Sequence, residues 1–358
     1  MFLITLPNKH VRSEVSRGEP RRLVFYLAME EYLAAHLDSL FDGQSLANGD
    51  KEAFFIWQVP PTVIFGRNQV MDAEVNMAYC KENGVRLFRR KSGGGCVYSD
   101  EGNIMLSYIT SGTDVAFTFD KYLQLLTLAL NRLGLKAERS GRNDVLVDGK
   151  KVSGNAFYLM PDKSIVHGTL LFNSDFGALE SAITPSSAKI KSKGVASVRQ
   201  HVTNLKPFLM SSDNPSVQVL ADIESFKKYL CDFFCDKTME LTPEQVNGIE
   251  EIEKTYLDPA FIEGRNNSYS MEFRKKIEDS GEFIVDLCLD GDRIKEIHLK
   301  GDYFLLVPSA DPDKLLNTRL AGCKNDKDSV SEALKGLGLD KYVMNLTEKE
   351  LIDLIYNN

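Results

Sequence analysis

Three consecutive glycines, Gly93 to Gly95, follow an apolar strand pattern that ends in Arg89 and Arg90. Glycine lets the backbone turn tightly and bring its N–H groups close to a ligand, which suits phosphate oxygens. Arginine adds permanent positive charge in a planar fork that matches phosphate. The pattern differs from a Walker loop, because no Gly-Lys-Ser/Thr follows, and from the Rossmann spacing. Taken alone, three glycines would favour a flexible surface turn with two solvated arginines.

A second basic pair, Lys150 and Lys151, follows a predicted hairpin turn at Asp148-Gly149. Asp-Gly between β-branched runs is a strong signal for a two-residue hairpin. Side chains alternate faces along a strand, so one of the two lysines must point inward, where it needs an anionic partner. In an isolated hairpin, two solvated lysines would be favoured. Beside an arginine-flanked glycine loop, Lys151 becomes a candidate for contacting a phosphate and a carboxylate together.

Five segments of the chain resemble, in order and spacing, the lipoate–protein ligase family. They cover the chain from about Leu23 to Leu205, and the resemblance depends on all five together. The segments are PPTVIFGRNQ (60–69), RRKSGGGCVYSDEGN (89–103), GRNDVLVDGKKVSGNAF (141–157), HGTLLFNSD (167–175) and KGVASVRQHVTNL (193–205). Near the end of the chain, EIHLKGDYF and AGCKNDKDSVSEAL resemble the small accessory domain of full-length members.

The resemblance implies a mixed α/β (α+β) fold, with a catalytic domain like that of biotin and lipoate ligases and a small α+β C-terminal accessory domain. It also implies an adenylate-forming enzyme that uses ATP and Mg²⁺ to convert lipoate to lipoyl-AMP. The lipoyl group would then pass to a specific lysine of an acceptor. The implied acceptors are the lipoyl domains of 2-oxoacid dehydrogenase complexes and the H protein of the glycine cleavage system.

By the same resemblance, Lys151 is the catalytic residue, in contact with both lipoate and the α-phosphate. Arg67 and His167 are family positions near the acyl site, and no metal ligands are assigned. The implied ATP-binding residues are Arg90, Gly93, Gly94, Gly95, Cys96, Val97, Tyr98, Lys151 and Lys193.

Two residues of the glycine loop depart from the family pattern. Cys96 stands where members commonly have a small alanine, and it is small enough to keep the turn. Ser99 stands where members commonly have histidine, so no role can be given to an imidazole there. Phosphate contacts made by the loop backbone are unaffected by either change.

The segment from Ile183 to Arg199 lacks hydrophobic periodicity and is rich in Ser, Lys and Gly. Such a segment has too little apolar surface to offset the entropy of ordering. We therefore expect Ser186 to Arg199 to be mobile without ligand and to become ordered on the adenylate, with Lys193 in the closing loop.

Hydrophobic periodicity predicts the elements that position these residues. A helix is predicted at Leu23 to Phe41, with Glu30 and Glu31 away from its apolar face, and another at Asp120 to Leu135, with Asp120 as its N-cap. The segment 216–234 is predicted as one further helix. The pattern changes to short alternating strands after Asp258, so the predicted domains are 1–257, catalytic, and 258–358, accessory.

Composition narrows the class of protein. The chain has 358 residues, 43% hydrophobic, and a net charge of −8. A general nucleic-acid binder would usually carry a basic surplus, and no apolar stretch approaches the ~20 residues of a membrane span. The first residues lack the pattern of a signal peptide, so we expect a cytoplasmic protein with six reduced cysteines and no nucleic-acid or membrane partner.

Three alternatives stay open at this point. An octanoyl transferase of the same superfamily would need a nucleophile and no ATP, and Cys96 is the cysteine in the core motif. A biotin ligase is disfavoured because its Gly-Arg-Gly-Arg type of loop is absent. A non-catalytic acyl-binding protein is disfavoured because binding alone needs no phosphate-directed cations such as Arg90, Lys151 and Lys193.

Overall fold

The computed structural model describes residues 1–7, 22–41, 51–112, 114–141, 143–183, 201–264, 271–307 and 309–357. Lys193 and the predicted mobile loop, Ser186 to Arg199, lie outside these residues. The strands in the described residues are β1 (Phe2–Thr5), β2 (Glu52–Trp57), β3 (Thr62–Phe65), β4 (Arg86–Arg89), β5 (Val97–Ser99), β6 (Asn103–Thr110), β7 (Ala137–Ser140), β8 (Asp144–Val147), β9 (Lys150–Met160), β10 (Lys163–Leu171), β11 (Lys237–Glu240), β12 (Met271–Ile277), β13 (Gly281–Asp290) and β14 (Arg293–Gly301).

Helices alternate with groups of these strands in the described residues. None of the described helices is both long and apolar enough to cross a membrane. The α-helices are Leu23–Leu40, Met71–Glu74, Met77–Glu82, Val115–Asn131, Phe176–Ala182, Lys206–Met210, Pro215–Gln218, Ile223–Phe234, Pro243–Tyr256, Pro259–Glu263, Pro312–Leu320, Lys327–Leu334 and Glu348–Tyr356, with short 3₁₀ turns at Val219–Ala221 and Leu339–Lys341.

A mixed eight-stranded sheet forms the centre of the larger, N-terminal domain. Its strand order is β11-β1-β2-β6-β10-β9-β8-β7, with β1 parallel to β2 and β11 and the remaining pairs antiparallel. Both faces are covered by helices: Leu23–Leu40 and Pro243–Tyr256 on one, Val115–Asn131 and Ile223–Phe234 on the other. Burial of each Leu or Phe side chain between these layers stabilises the fold by about 1.5–3 kcal/mol.

The helix Leu23–Leu40 has the predicted position but not the predicted orientation of its acids. Glu30 and Glu31 are buried, at 3% and 9% exposure, rather than on a solvated face. The helix is covered by the sheet on one side and by the helix Pro243–Tyr256 on the other, so it has almost no solvent-exposed face around Glu30 and Glu31. Buried carboxylates persist only where partners compensate them, and both acids have such partners.

The helix predicted at Asp120 begins earlier, at Val115. Asp114 is its N-cap, and the Asp114 carboxylate accepts a hydrogen bond of 2.9 Å from the Phe117 amide. Asp120 lies inside the helix, where it accepts a hydrogen bond from Gln124. The prediction that Asp120 caps the helix is wrong, because the first helical turn is apolar and does not reveal the boundary.

The single helix predicted at 216–234 is interrupted. A short helix, Pro215–Gln218, and a 3₁₀ turn precede Asp222, and the main helix then runs from Ile223 to Phe234. The Asp222 side chain accepts a hydrogen bond from the Ser225 amide and caps the main helix. A side-chain acceptor at this position satisfies one of the N–H groups that a helix start leaves free.

A small three-stranded sheet, β4-β3-β5, carries the glycine loop. Strands β3 and β4 are parallel and end together at Phe65 and Arg89, and the loop joins β4 to β5. The Arg90 amide donates to the Phe65 carbonyl at 3.0 Å and extends this pairing by one residue. The loop therefore leaves a fixed sheet edge that faces the large sheet.

The predicted Asp148-Gly149 hairpin joins β8 to β9. Asp148 has φ of 47°, as a two-residue hairpin turn of this kind requires. A register shift between Val145 and Leu146 places Leu146 opposite Lys151. Such an irregularity changes the direction of the strand beside the site.

The C-terminal domain has an antiparallel sheet, β12-β13-β14, covered by three helices, Pro312–Leu320, Lys327–Leu334 and Glu348–Tyr356. The mixed α/β fold with a small C-terminal sheet domain is confirmed. The helix Pro259–Glu263 packs against the catalytic domain, because the Ile262 and Glu263 carbonyls accept hydrogen bonds from Arg89. The boundary between 257 and 258 stays a prediction.

Candidate active site

A cavity of about 110 Å³ lies between the glycine loop and strands β9 and β10. His167 is opposite Ala156 in the β9–β10 register, and Lys151 is five residues from Ala156 along β9. At about 3.3 Å per residue, the Cα atoms of Lys151 and Ala156 are about 16 Å apart along β9, but the Lys151 ammonium extends along the strand to Gly154, two residues from Ala156. The side chains and backbone around the cavity belong to Leu27, Trp57, Ile64, Arg90, Gly94, Gly95, Cys96, Val97, Met105, Asn143, Lys151, Gly154, Asn155, Ala156, His167, Gly168 and Thr169.

Lys151 faces this cavity, whereas Lys150 is exposed to solvent. The prediction that Lys151 is the inward lysine of the hairpin is confirmed. Its Nζ is 2.7 Å from Asp144 Oδ1 on the neighbouring strand. A Cβ at position 154 would lie 2.9 Å from that Nζ, so glycine at this position leaves room for the ammonium group.

Arg90 is buried beneath the glycine loop, at 6% exposure. Its guanidinium donates four hydrogen bonds to backbone carbonyls: two to Gly93 (3.2 and 2.8 Å), one to Gly95 (2.7 Å) and one to Ile64 (3.2 Å). Burial lowers the pKa of Arg90 to about 10, so the group keeps its charge at neutral pH. These bonds fix the loop conformation, while Arg90 also borders the cavity.

Arg89, the first arginine of the pair, donates its hydrogen bonds to backbone carbonyls and stacks on the Phe65 ring, 4.6 Å from its centroid. The accepting carbonyls are those of Gly66, Arg67 and Gln69 at 2.7–3.0 Å and of Ile262 and Glu263 at 3.1 Å. Burial lowers its pKa to about 10. The interpretation of two solvated arginines beside a surface turn is therefore wrong for both residues.

Gly93 meets the C-terminal domain rather than the cavity. A Cβ at this position would lie 2.1 Å from the Tyr303 carbonyl oxygen and 2.9 Å from the Phe304 ring. A side chain there would force the two domains apart. The glycine is required by the close approach of another backbone, a role that the sequence analysis did not predict. Gly94 and Gly95 do border the cavity.

A buried chain of hydrogen bonds runs past the His167 end of the cavity. His167 Nδ1 is 2.8 Å from Glu30 Oε2, and His167 Nε2 is 2.8 Å from Ser92 Oγ. The Ser107 hydroxyl donates to the other Glu30 oxygen at 2.5 Å, and Trp57 Nε1 donates to Ser107 at 2.9 Å. Each polar group of the chain has a partner, which offsets the cost of burying the Glu30 carboxylate.

Sequence reasoning missed Glu30, Ser92 and Ser107 as residues of this site. The sequence did carry a signal, namely two adjacent acids inside an otherwise apolar helix. Neighbouring helical positions point about 100° apart, so the two acids cannot both lie in one narrow polar stripe on the solvent side. The second acid, Glu31, accepts hydrogen bonds from Lys91 Nζ (2.9 Å) and from the Tyr256 hydroxyl.

Arg67 is linked to His167 through Ser92, because the Arg67 amide donates a hydrogen bond of 2.9 Å to the Ser92 carbonyl and Ser92 Oγ is 2.8 Å from His167 Nε2. Arg67 also borders a larger cavity of about 750 Å³ between the two domains, together with Lys91, Tyr158 and Lys300. That Arg67 lies near the acyl site stays a prediction. Its position follows from the loop after β3, which turns toward the C-terminal domain and whose Asn68 carbonyl accepts a hydrogen bond from the Gly301 amide at 2.8 Å.

Cys96 and Val97 border the cavity, but the Tyr98 side chain does not. Side chains alternate along β5, so Tyr98 packs on the other side of the small sheet, in a core with Val63, Phe65 and Cys80. Burial, with a smaller contribution from Asp100, raises the pKa of its hydroxyl. A nucleotide contact by the Tyr98 side chain is not compatible with this position.

Ser99 is fully buried where the family commonly has histidine. Its Oγ accepts a hydrogen bond of 3.2 Å from Asn103 Nδ2 and lies 3.6 Å from Met105 Sδ. Asn103 Oδ1 in turn accepts a hydrogen bond from the Leu170 amide. The hydroxyl is thus part of the link between β5, β6 and β10 behind the cavity wall.

Family comparison agrees with this combination of fold and site. The lipoyl protein ligase A/B catalytic domain matches residues 23–234, and the bacterial lipoate protein ligase C-terminus matches residues 266–355. Together these two matches span most of the chain.

This chain belongs to the lipoate–protein ligase family, as its sequence motifs predicted. Lipoate–protein ligase 1 of Staphylococcus aureus is 35% identical to it, over 92% of this chain and 95% of the relative. Lipoate-protein ligase LplJ of Bacillus subtilis is 31% identical, over 92% and 96%. The crystal structure of P. falciparum LipL1 in complex with lipoate has the same fold, with a TM-score of 0.69 at 21% identity, covering 99% of this chain and 97% of that one.

Proposed function

We propose that this chain is an ATP-dependent lipoate–protein ligase, which converts lipoate to lipoyl-AMP and transfers the lipoyl group to a lysine of an acceptor protein. The observation that carries the proposal is the cavity with Lys151 at one end and apolar walls from Leu27, Ile64 and Met105. A linear acid with an apolar tail fits such a cavity with its carboxylate toward the ammonium. The names of the relatives support the same activity.

In the first step, a lipoate carboxylate oxygen attacks the α-phosphorus of ATP, and the bond to the leaving pyrophosphate breaks. Lys151 is the charge that stabilises both reacting groups, because its Nζ can contact the carboxylate and an α-phosphate oxygen together. We assign ATP binding to the loop residues Gly94 to Val97, whose backbone Arg90 holds in place. Lys193 is also assigned to ATP binding, on the basis of the sequence motif alone. A placed donor of this kind contributes about 3–4 kcal/mol to lowering a barrier.

Mg²⁺ is the expected companion of ATP. Carboxylate and amide oxygens are the ligands it prefers, and Asp144 and Asn143 supply such oxygens beside Lys151. These two residues would be the candidates to hold the ion, and the ion would neutralise charge on the leaving pyrophosphate. Asp144 also holds the Lys151 ammonium at 2.7 Å, so the protein keeps its cation in place before the nucleotide arrives.

In the second step, the neutral amine of an acceptor lysine attacks the carbonyl carbon of the mixed anhydride. The new amide bond forms, AMP leaves, and the amine loses a proton to solvent. Lys151 polarises the carbonyl as a point charge and forms no covalent bond. We propose as acceptors the lipoyl domains of 2-oxoacid dehydrogenase complexes and the H protein of glycine cleavage. A described archaeal bi-partite ligase is paired with its E2 lipoyl domain, which supports this class of acceptor.

Pyrophosphate release tests the proposal directly. The purified chain is incubated with ATP and lipoate, with and without a lipoyl domain, and pyrophosphate and the mass of the domain are measured. We expect pyrophosphate release with ATP and lipoate alone, and a lipoylated domain when the acceptor is added. Replacing lipoate with octanoate tests which of the two acids the enzyme prefers. Transfer from an octanoyl carrier protein without ATP would contradict the ligase proposal, and so would binding of lipoate without either reaction.

A further inference from the structure

Three side chains capable of binding a metal converge on one face of the C-terminal sheet. Cys288 Sγ, a carboxylate oxygen of Glu296 and a ring nitrogen of His298 all lie within 4.8 Å of one another. Within the part of the chain that the structure describes, this is the one such group of three. It lies on β13 and β14, outside the active-site cavity.

Strand register explains why these residues meet. Cys288 is directly opposite Glu296 in the β13–β14 pair, and Asp286 is opposite His298. Alternate residues share a face, so all four side chains are on the face away from the hydrophobic core of Phe283, Val285 and Leu287. The register shift immediately after Cys288 is a feature that often redirects a side chain beside a functional site.

His298 is oriented by a carboxylate, as metal-binding histidines commonly are. Its Nδ1 is 3.0 Å from Asp313 Oδ2, and its Nε2 is 3.5 Å from Glu296 Oε2. The second Asp313 oxygen accepts a hydrogen bond from the Leu299 amide, which fixes the carboxylate. His298 is buried at 7% exposure, whereas Glu296 is exposed and Cys288 is half-buried, so an ion could enter from the Glu296 side.

We propose that Cys288, Glu296 and His298 bind a divalent transition-metal ion of the zinc class. In a tetrahedral zinc site, bonds of 2.0–2.3 Å place neighbouring ligand atoms about 3.3–3.6 Å apart, so the three groups need only a small inward movement. Thiolate with imidazole selects zinc-class ions over Mg²⁺ or Ca²⁺. The Cys288 thiol releases its proton to solvent as the sulfur–metal bond forms, and water takes the fourth position.

Asp286 provides a second observation at the same place. Its side chain is fully buried, one oxygen is 2.5 Å from Lys300 Nζ, and the other has no hydrogen-bond partner among the described residues. This carboxylate lies on the same face, opposite His298 and two residues from Cys288. Its charge is compensated by the Lys300 ammonium, so what it adds beside the cluster is an acceptor oxygen without a hydrogen-bond partner among the described residues.

Cobalt titration of the full-length protein tests the site. The protein is stripped with a chelator, reduced with a non-coordinating phosphine, and titrated with Co²⁺ while the thiolate-to-cobalt charge-transfer absorption is recorded. We expect one equivalent of Co²⁺, displaced by Zn²⁺. The absence of stoichiometric binding to the wild-type chain would overturn the proposal.

Matched variants separate this site from other thiols. Cys288→Ser is expected to remove the charge-transfer band, and Asp313→Asn to weaken Zn²⁺ binding by about 10–100-fold through loss of histidine orientation. Cys323→Ser, in the same domain but outside the cluster, is the control and should bind as the wild type does. Circular dichroism checks that each variant is folded. Survival of the band in Cys288→Ser would place the metal elsewhere and reject the assignment.

Discussion

Lys151 is the side chain on which the proposed chemistry depends most. Its ammonium faces the cavity and is held by Asp144, so its removal should leave the fold intact and withdraw the charge that stabilises the transferring phosphoryl group. We expect Lys151→Ala to lower pyrophosphate release by about 100- to 1,000-fold, the loss typical for a single stabilising donor. The rate is measured with saturating ATP and lipoate.

Lys150→Ala provides the matched control for this prediction. It removes the same charge from the neighbouring residue, whose side chain is exposed to solvent. We expect its rate to stay within about twofold of the wild type, since surface charges contribute little. Equal rates for a folded Lys151→Ala and the wild type would remove Lys151 from the catalytic mechanism.

The Cys96 sulfur distinguishes the ligase from an acyl transferase, because only the transferase would need it as a nucleophile. It borders the cavity and could in principle attack an acyl group. In the ligase mechanism no covalent enzyme intermediate forms, so Cys96→Ala is expected to keep at least half of the wild-type rate. Intact-mass measurement after incubation with substrates should show no acyl adduct. An acyl group on Cys96, together with an inactive alanine variant, would support the transferase instead.

At the scale of single elements, comparing Asp114 with Asp120 tests where the helix Val115–Asn131 begins. Asp114 caps the helix, whereas Asp120 makes exposed contacts with Gln124 and Arg139. We expect Asp114→Ala to lower the free energy of unfolding by about 1 kcal/mol, the usual value of an N-cap. Asp120→Ala should cost less than about 0.5 kcal/mol, as exposed ion pairs do.

Urea unfolding of the two variants measures this difference. The helix packs on the catalytic core through Leu123, Leu126 and Leu130, so its loss of stability is transmitted to the catalytic domain. A larger effect for Asp120→Ala than for Asp114→Ala would mean that the helix begins where the sequence pattern indicated.

Periodicity predicted that helices lie at Leu23 and near Asp120, because each has an apolar face that must be buried, but it did not predict where the second helix begins. The predicted hairpin at Asp148-Gly149 and the inward Lys151 were correct for the same local reason. The pattern could not show that Glu30 is buried, since its partners His167 and Ser107 come from distant strands.

At the scale of the whole molecule, Phe304 joins the two domains. Its ring, at 1% exposure, stacks on Phe157 with centroids 5.1 Å apart and lies against the glycine loop. We expect Phe304→Ala to loosen the contact without unfolding either domain, since each domain has its own core. Amide hydrogen exchange at residues 92–95 should then become faster, while exchange in β6 and β13 stays as in the wild type.

Phe273→Ala is the control for this prediction, because Phe273 packs within the C-terminal core and not on the glycine loop. It should leave exchange at 92–95 unchanged. If Phe304→Ala also leaves exchange there unchanged, the ring does not hold the domains together, and the hydrogen bond from the Gly301 amide to the Asn68 carbonyl becomes the main connection.

The two domains are joined covalently by the chain and also touch at an interface. This interface includes Phe304 and the hydrogen bond from the Gly301 amide to the Asn68 carbonyl. A short tether gives an effective concentration of about 1 mM, so an interface with a dissociation constant of about 10 µM would be closed about 99% of the time. Cutting the chain between Gly264 and Met271 would change this intramolecular equilibrium into a bimolecular one. The same interface would then separate when the protein is diluted to nanomolar concentration.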